Sequence, residues 1–337
     1  MKRNKLLSLF AAPYVLWMAV FTIVPIFMVV FYAFTTANSA ELIAAGNWRE
    51  AFTLDNFARM GTYAVVFTRS FKLAIIATAI CVLIGYPLAY FMAKEGPGFQ
   101  KMAMVIIMLP MWMNFLLRTY AWMSILDNSG ILNQFFQAVG IIDLGNLLNG
   151  WLNDVCAAIN TAVLPALKDL PGIGELLPAD FLLDVARPTN MKFFKLLNTQ
   201  GAVVLGMVYN YLPFMILPLY SIMTKIDRKV IEAAQDLGAN PFQVFIRVII
   251  PLTVPGITTG VVMVFMPAVS TFIISRMLGG GGNLLIGDLI DLQFLGNAYN
   301  PHLGAAISLV LMVVILLCMS VMNQFDADNT EREEMLL

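Results

Sequence analysis

Charge is scarce in this chain, histidine is single, and cysteine is confined to three scattered positions; each scarcity removes a class of function. Only 12% of the residues are charged while 60% are hydrophobic, and the mean hydropathy is +0.80. Soluble domains average about a quarter charged residues, so the polar material is too thin to cover a globule of 337 residues. The surplus apolar surface needs a bilayer as its solvent. His302 alone cannot build a metal site or a catalytic triad, and its setting between Pro301 and Gly304 predicts a solvated loop residue. Cys81, Cys156 and Cys318 lie in unrelated segments, a spacing that argues against both a disulfide framework and a metal cluster. The formal net charge of −1 gives no pull toward nucleic acid. Internal repeats, low-complexity tracts and a separate soluble domain are also missing.

What is present is long apolar runs. A helix needs about 20 residues to cross the hydrocarbon core of a bilayer, and six stretches meet that length, at 8–36, 71–93, 103–126, 200–223, 251–275 and 304–323. The expected fold is therefore an all-α integral membrane domain of six transmembrane helices spanning residues 1–337. The first stretch follows Lys2, Arg3 and Lys5 but runs uncharged from Leu6 to Ala40. That exceeds the apolar part of a cleaved signal, about 7–15 residues, so it reads as a retained helix.

Orientation follows the basic residues. With the N-terminus inside, ten Lys and Arg fall in the 57 positions of the inner segments (1–7, 94–102, 224–250, 324–337), against eight in the 135 outer positions. This density difference places both termini in the cytoplasm. The outer loop 127–199 contains Trp151, Leu152, Val155, Ile159, Ala162, Val163 and Leu167 at helical spacing. Asn149, Asn153, Asp154, Asn160 and Pro165 interrupt that run, which therefore reads as an amphipathic helix at the outer surface instead of a seventh span. Pro171, Gly172, Gly174, Pro178 and Pro188 then predict an irregular stretch.

The inner segment 224–250 carries the strongest local signals. Asp227 is a good N-cap, Gly238 stands where a left-handed residue ends a helix, and Asn240 caps again with Pro241 at the first helical position. Two short helices and a sharp joint follow. Glu232 and Asp236 project at i,i+4, and the small Ala233 and Ala234 let a partner approach closely. On physics alone the segment is either a docking element or an ordinary capped loop. Glu232-Ala233-Ala234, three residues, Gly238, nine residues and Val248-Ile249-Ile250-Pro251 resemble the EAA loop of ABC importer permeases, with Val248 and Ile250 as conservative departures. The stretches Asn114–Trp122, Tyr209–Tyr220 and Gly279–Gly287 resemble the spermidine/putrescine type in particular, and the similarity is greatest to the first of its two permease subunits. The outer segment around 145–190 is longer than in that group.

The resemblance implies a type I importer permease in a bacterial cell membrane. Its implied partners are a second homologous permease, two ATPase subunits and an extracytoplasmic substrate-binding protein. Glu232, Ala233, Ala234, Asp236 and Gly238 would couple this chain to an ATPase. ATP and magnesium would sit on that partner, and no cofactor is expected here. The Gly279–Gly282 run agrees with this, since no Lys-Ser/Thr follows it as a phosphate-binding loop requires.

For the substrate path, Arg118 either reaches the outer headgroups or joins Asn114 and Tyr120 in lining the route between permeases. Asp127, Tyr209, Asp288 and Asp291 offer acceptors and an aromatic face for a polyamine, or serve as loop and capping residues. Pro213, Pro218, Pro255 and Pro267 mark bends in the fourth and fifth spans. An ion-coupled secondary transporter would place acids at mid-span, and none occurs there. A membrane enzyme would need a catalytic constellation that the sequence does not contain. Another cargo, such as a different small cation, an opine-like compound or an iron complex, stays open.

Overall fold

The computed structural model describes residues 13–163, 188–296 and 298–334, and these are helical almost throughout. The helices that matter are α1 (Pro13–Ala33), α2 (Ala64–Lys94), α3 (Pro97–Trp112), α4 (Phe115–Leu126), α5 (Ile131–Ala138) and α6 (Ile141–Ala158). After them come α7 (Gln200–Met223), α8 (Arg228–Asp236), α9 (Pro241–Ser270), α10 (Ile273–Leu278), α11 (Ile286–Leu295) and α12 (Pro301–Glu334). Among the described residues five helices are long and apolar enough to cross a bilayer: α1, α7, α9, the first 22 residues of α12, and α2 with its lead-in from Asp55. The bent pair of α3 and Phe115–Ala138, which is α4 with α5, makes a sixth span if counted as one.

The core is built on α7, which lies between α2 and α9 while these also touch each other. In lipid no hydrophobic force drives helices together, so small residues that permit close approach carry the packing. Met215 of α7 is fully buried. A Cβ at Gly85 of α2 would stand 3.0 Å from Met215 Cγ, and one at Gly260 of α9 would stand 2.6 Å from Met215 Sδ. Gly206 of α7 likewise leaves room for Leu278 and Ile274 of α10. Pro213, Pro218, Pro255 and Pro267 all lie inside continuous helix.

Several sequence expectations are corrected. The third span does not run unbroken over 103–126: α3 and the helical run Phe115–Ala138, which is α4 with α5, meet at a 92° bend. Pro110 weakens the last turn of α3 by removing a donor. Asn114 then caps α4, its Oδ1 accepting from Leu116 N at 2.8 Å. The fifth span stops at Ser270, five residues early, and an extended Thr271 separates it from α10. The second helix of the inner segment is not short, because it continues through a wider turn at Phe245–Ile249 into the span itself. The outer amphipathic helix begins at Ile141, ten residues before Trp151, behind a left-handed Gly140 at φ +77°. Leu167, Pro165, Pro171, Gly172, Gly174 and Pro178 lie outside the described residues.

His302 is not a loop residue either. Asn300 Oδ1 accepts from Leu303 N at 3.1 Å, so Asn300 and Pro301 open α12 and carry His302 into its first, buried turn. There its Nδ1 lies 3.1 Å from the Tyr32 carbonyl and tethers α12 to α1. The Thr35 hydroxyl, 3.3 Å away, donates instead to the Phe31 carbonyl.

Gly287 at the start of α11 gives a direct test of this packing. A Cβ there would meet backbone, 2.4 Å from the Ser270 carbonyl oxygen and 2.6 Å from that of Thr271. Gly287→Ala should therefore lower the stability of the purified protein by about 1–3 kcal/mol. Gly281→Ala, which meets nothing within 4 Å, should leave the thermal unfolding midpoint in place.

Candidate functional site

The inner segment folds as its residues dictate. Asp227 Oδ1 accepts from Lys229 N at 3.0 Å and starts α8. The helix ends in a paired closure: Gly238 N donates to Gln235 O at 2.8 Å, and Ala239 N donates to Ala234 O at 3.1 Å. Gly238 sits at φ +85° with open space around its missing Cβ. A reciprocal capping box follows at once. Gln243 N donates to Asn240 Oδ1 at 2.8 Å, and Asn240 N donates to Gln243 Oε1 at 3.0 Å.

The joint therefore carries its own caps on both sides, and its surface is unusual. Glu232, Ala233 and Asp236 are exposed and Ala234 is half-buried. Flanking the joint, Leu237 is 89% exposed and Phe242 is 70% exposed. Two large apolar side chains standing this far out of a polar helix pair mark a contact surface. The motif drew attention to the alanines and the acids, whereas the apolar pair became visible only with the fold. Behind α8 lies a cleft of about 520 Å³, lined among others by Tyr90, Lys94, Gln100, Arg228 and Glu232. The root of α9 is held to α2 by rings: Phe245 packs edge-on to Tyr86 and Tyr90, with centroids 5.8 and 5.3 Å apart.

The structure scatters the proposed path residues. Asn114 is spent on capping α4. Arg118 is 9% exposed and enclosed by protein, with Nε and Nη1 meeting no acceptor. Tyr120 is exposed, and two helical residues on from Arg118 it faces away from it. Asp127 is half-buried and accepts from the Ser129 hydroxyl at 2.8 Å. Tyr209 packs edge-on against Trp122 with centroids 5.2 Å apart. Both line a mainly apolar groove of about 710 Å³ between α2, α4 and α7, which also includes Lys72.

Asp288 and Asp291 do come together, around a cation that the sequence reading left out. Arg276, just past the break after α9, donates to Asp291, and its Nε lies 3.6 Å from Asp288 Oδ1. Asp288 is fully buried and is the N-terminal anchor of α11, accepting from Leu285 N at 3.1 Å and from the Ser275 hydroxyl. The sequence shows a lone Arg276 after the fifth apolar run and two acids a turn apart, but not that the chain folds them together. Burial raises the Asp288 carboxyl above the usual range, against the opposing pull of the Ser275 and Leu285 hydrogen bonds and of Arg276. The Asp291 hydrogen bond raises the Arg276 guanidinium further.

A raised carboxyl pKa contributes stability that is complete below the unfolded value and is lost as pH rises through the folded one. The protein should therefore become less resistant to unfolding as pH climbs above the ordinary carboxylate range. Asp288→Asn should flatten that slope in thermal denaturation at a series of pH values.

Comparison with known proteins places these features. The family described as binding-protein-dependent transport system inner membrane component matches residues 85–328. A spermidine/putrescine transport system permease protein, PotB, of Salmonella typhimurium is 35% identical over 301 residues, covering 89% of this chain and 86% of that one. Among solved structures, a bacterial ABC transporter that imports the acidic polysaccharide alginate matches with a TM-score of 0.66 at 16% identity, over 97% of this chain and 96% of that one. The same kind of transporter, in complex with an alginate pentasaccharide-bound periplasmic protein, matches with a TM-score of 0.63 at 16% identity, over 96% and 94%. At such identity the two structures establish the fold alone.

Proposed function

The chain belongs to the binding-protein-dependent transport system inner membrane components, and on that premise we propose that it is the polyamine-translocating permease of an ATP-driven importer. It is a membrane permease subunit of the ABC importer class and not itself an enzyme. The cargo reading, spermidine or putrescine, rests on the 35% identity to PotB over 89% of the chain. Within the chain it is supported by the Trp122–Tyr209 ring pair beside the groove, because aromatic faces attract ammonium groups. The acids Asp288 and Asp291 are engaged by Arg276, so aromatic faces are what this chain offers a cation there.

The observation that carries the coupling role is the joint at Gly238. An ATPase partner would grip α8 through Leu237, Phe242 and the small face of Ala233 and Ala234. Closure of a pair of such ATPases, which hold the ATP and magnesium, would push α8 toward the bilayer. Because α9 runs unbroken from Pro241 to Ser270, a displacement at the joint is carried across the membrane to the break at Thr271. Alternating access follows if a second, homologous permease completes the path and an external binding protein delivers the cargo. Both termini and α8 lie in the cytoplasm in this arrangement, in line with the density of Lys and Arg on that side.

Reconstituted complex in proteoliposomes should take up labelled spermidine or putrescine only with internal ATP and binding protein; uptake without either would overturn the mechanism. Leu237→Asp and Phe242→Asp should leave the permease folded while abolishing both co-purification of the ATPase and uptake. Gly238→Val should weaken coupling by conformational strain alone, about 1–2 kcal/mol for a side chain in the left-handed region. It should therefore reduce uptake more than it reduces ATPase binding.

A further inference from the structure

The described residues in and beside the outer segment that departs from the spermidine/putrescine group, α5, α6 and 188–194, present two faces. One face is amide-rich and is used internally. Asn133 donates to the Phe194 carbonyl at 3.1 Å and accepts from Phe194 N at 2.9 Å. Asn146 does the same to Met191, at 3.0 and 2.8 Å. Asn149 Nδ2 adds a bond to the Pro188 carbonyl at 3.0 Å. Three asparagines, one on α5 and two on one face of α6, thus clamp both helices onto the irregular chain 188–194.

Among the described residues the opposite face is left exposed. Along α6, Leu144, Leu147, Leu148 and Trp151 recur at the spacing of one helical stripe, and along α5 so do Ile131 and Phe135. All six are exposed, Leu147 at 69% and Trp151 at 61%. The stripe holds no charge; Asp143 and Asp154 fall on its edge. A continuous apolar face of this size on an otherwise polar hairpin needs a cover.

We propose that this cover is lipid: α5 and α6 lie in the plane of the bilayer surface opposite α8, with the stripe in the acyl boundary. Three observations choose lipid over protein. The hairpin is tied to membrane-embedded chain in two ways, by its own start and by the segment 188–194 that its asparagines hold. α5 is itself the far end of the second limb of the bent span, Phe115–Ala138, and the clamped segment ends at Phe194, six residues before α7 begins at Gln200. Six residues reach about 20 Å at full extension, so the stripe cannot stand far from the hydrocarbon. Trp151 is the residue type that concentrates at this depth. Lys192 and Lys195, exposed on and beside the clamped segment, supply cations for the lipid phosphates. In this position the hairpin braces the chain where it feeds into α7. The leaflet assignment rests on the orientation proposed above, whereas lipid contact does not depend on what is transported.

The test places a nitroxide at Leu147→Cys, Leu148→Cys or Asp154→Cys, with Cys81, Cys156 and Cys318 replaced by alanine. The full-length protein is studied in bilayers of phosphatidylethanolamine and phosphatidylglycerol. Labels at 147 and 148 should gain relaxation from oxygen and lose relaxation from a water-soluble nickel chelate, relative to the label at 154. Equal access of the chelate to all three would put the face in water, and exclusion of both reagents at 147 and 148 would show a protein cover; either result overturns the proposal. Loss of polyamine uptake would bear only on the transport reading, so the two fail separately.

Discussion

The contact that organises this molecule is a methionine held between two glycines. Met215 of α7 fills the space that Gly85 of α2 and Gly260 of α9 leave open. The helices that carry most of the core meet there. In water a bundle can tolerate loose packing because burial itself is favourable. In lipid the apolar surface is solvated either way, so surface fit and backbone proximity decide which helices associate. The position of α9 relative to α7, and therefore of the joint at its root, depends on that fit.

The polar groups follow the same solvent logic. Asp288, Ser275 and Arg276 gather where the chain leaves α9 and turns into α11. Arg69 donates to the Gly282 carbonyl at 2.7 Å, and Ser70 accepts from Ile286 N at 2.8 Å. Together these fasten the glycine-rich link between α10 and α11 to the side of α2. Side chains of α2 thus satisfy backbone groups of the link that no helix or strand pairs. His302 does the same between α12 and α1, satisfying the Tyr32 carbonyl near the end of a helix.

Much of this was legible in the sequence, and the exceptions have physical causes. Hydropathy located the apolar runs, because a bilayer imposes a minimum length on each. The inner segment was readable residue by residue: Asp227, Gly238, Asn240 and Pro241 each act locally, and each stands where its own backbone preference places it. The same Asn-Pro opening occurs at Asn300–Pro301 and was overlooked, because the neighbouring glycine and the lone histidine suggested a loop. Breaks within apolar runs were not visible at Met113 or Thr271, since composition is unchanged across them and only capping geometry marks the turn. The pairing of Arg276 with Asp288 and Asp291 depends on how α10 and α11 fold back on one another, which no local pattern reports. The role of Arg118 remained open in the sequence for a related reason: its enclosure is a property of its neighbours.

The unbroken course of α9 has one further consequence. A helix turns about 100° with each residue, so the thirty residues from Pro241 to Ser270 fix an angular phase as well as a length. The wider turn at Phe245–Ile249 is included in that phase. One residue inserted anywhere in the rod would rotate the far end with respect to α8 while every cap, clamp and contact at the near end stayed intact. Such a shaft therefore constrains its number of residues as strictly as it constrains Gly260 at the contact with Met215.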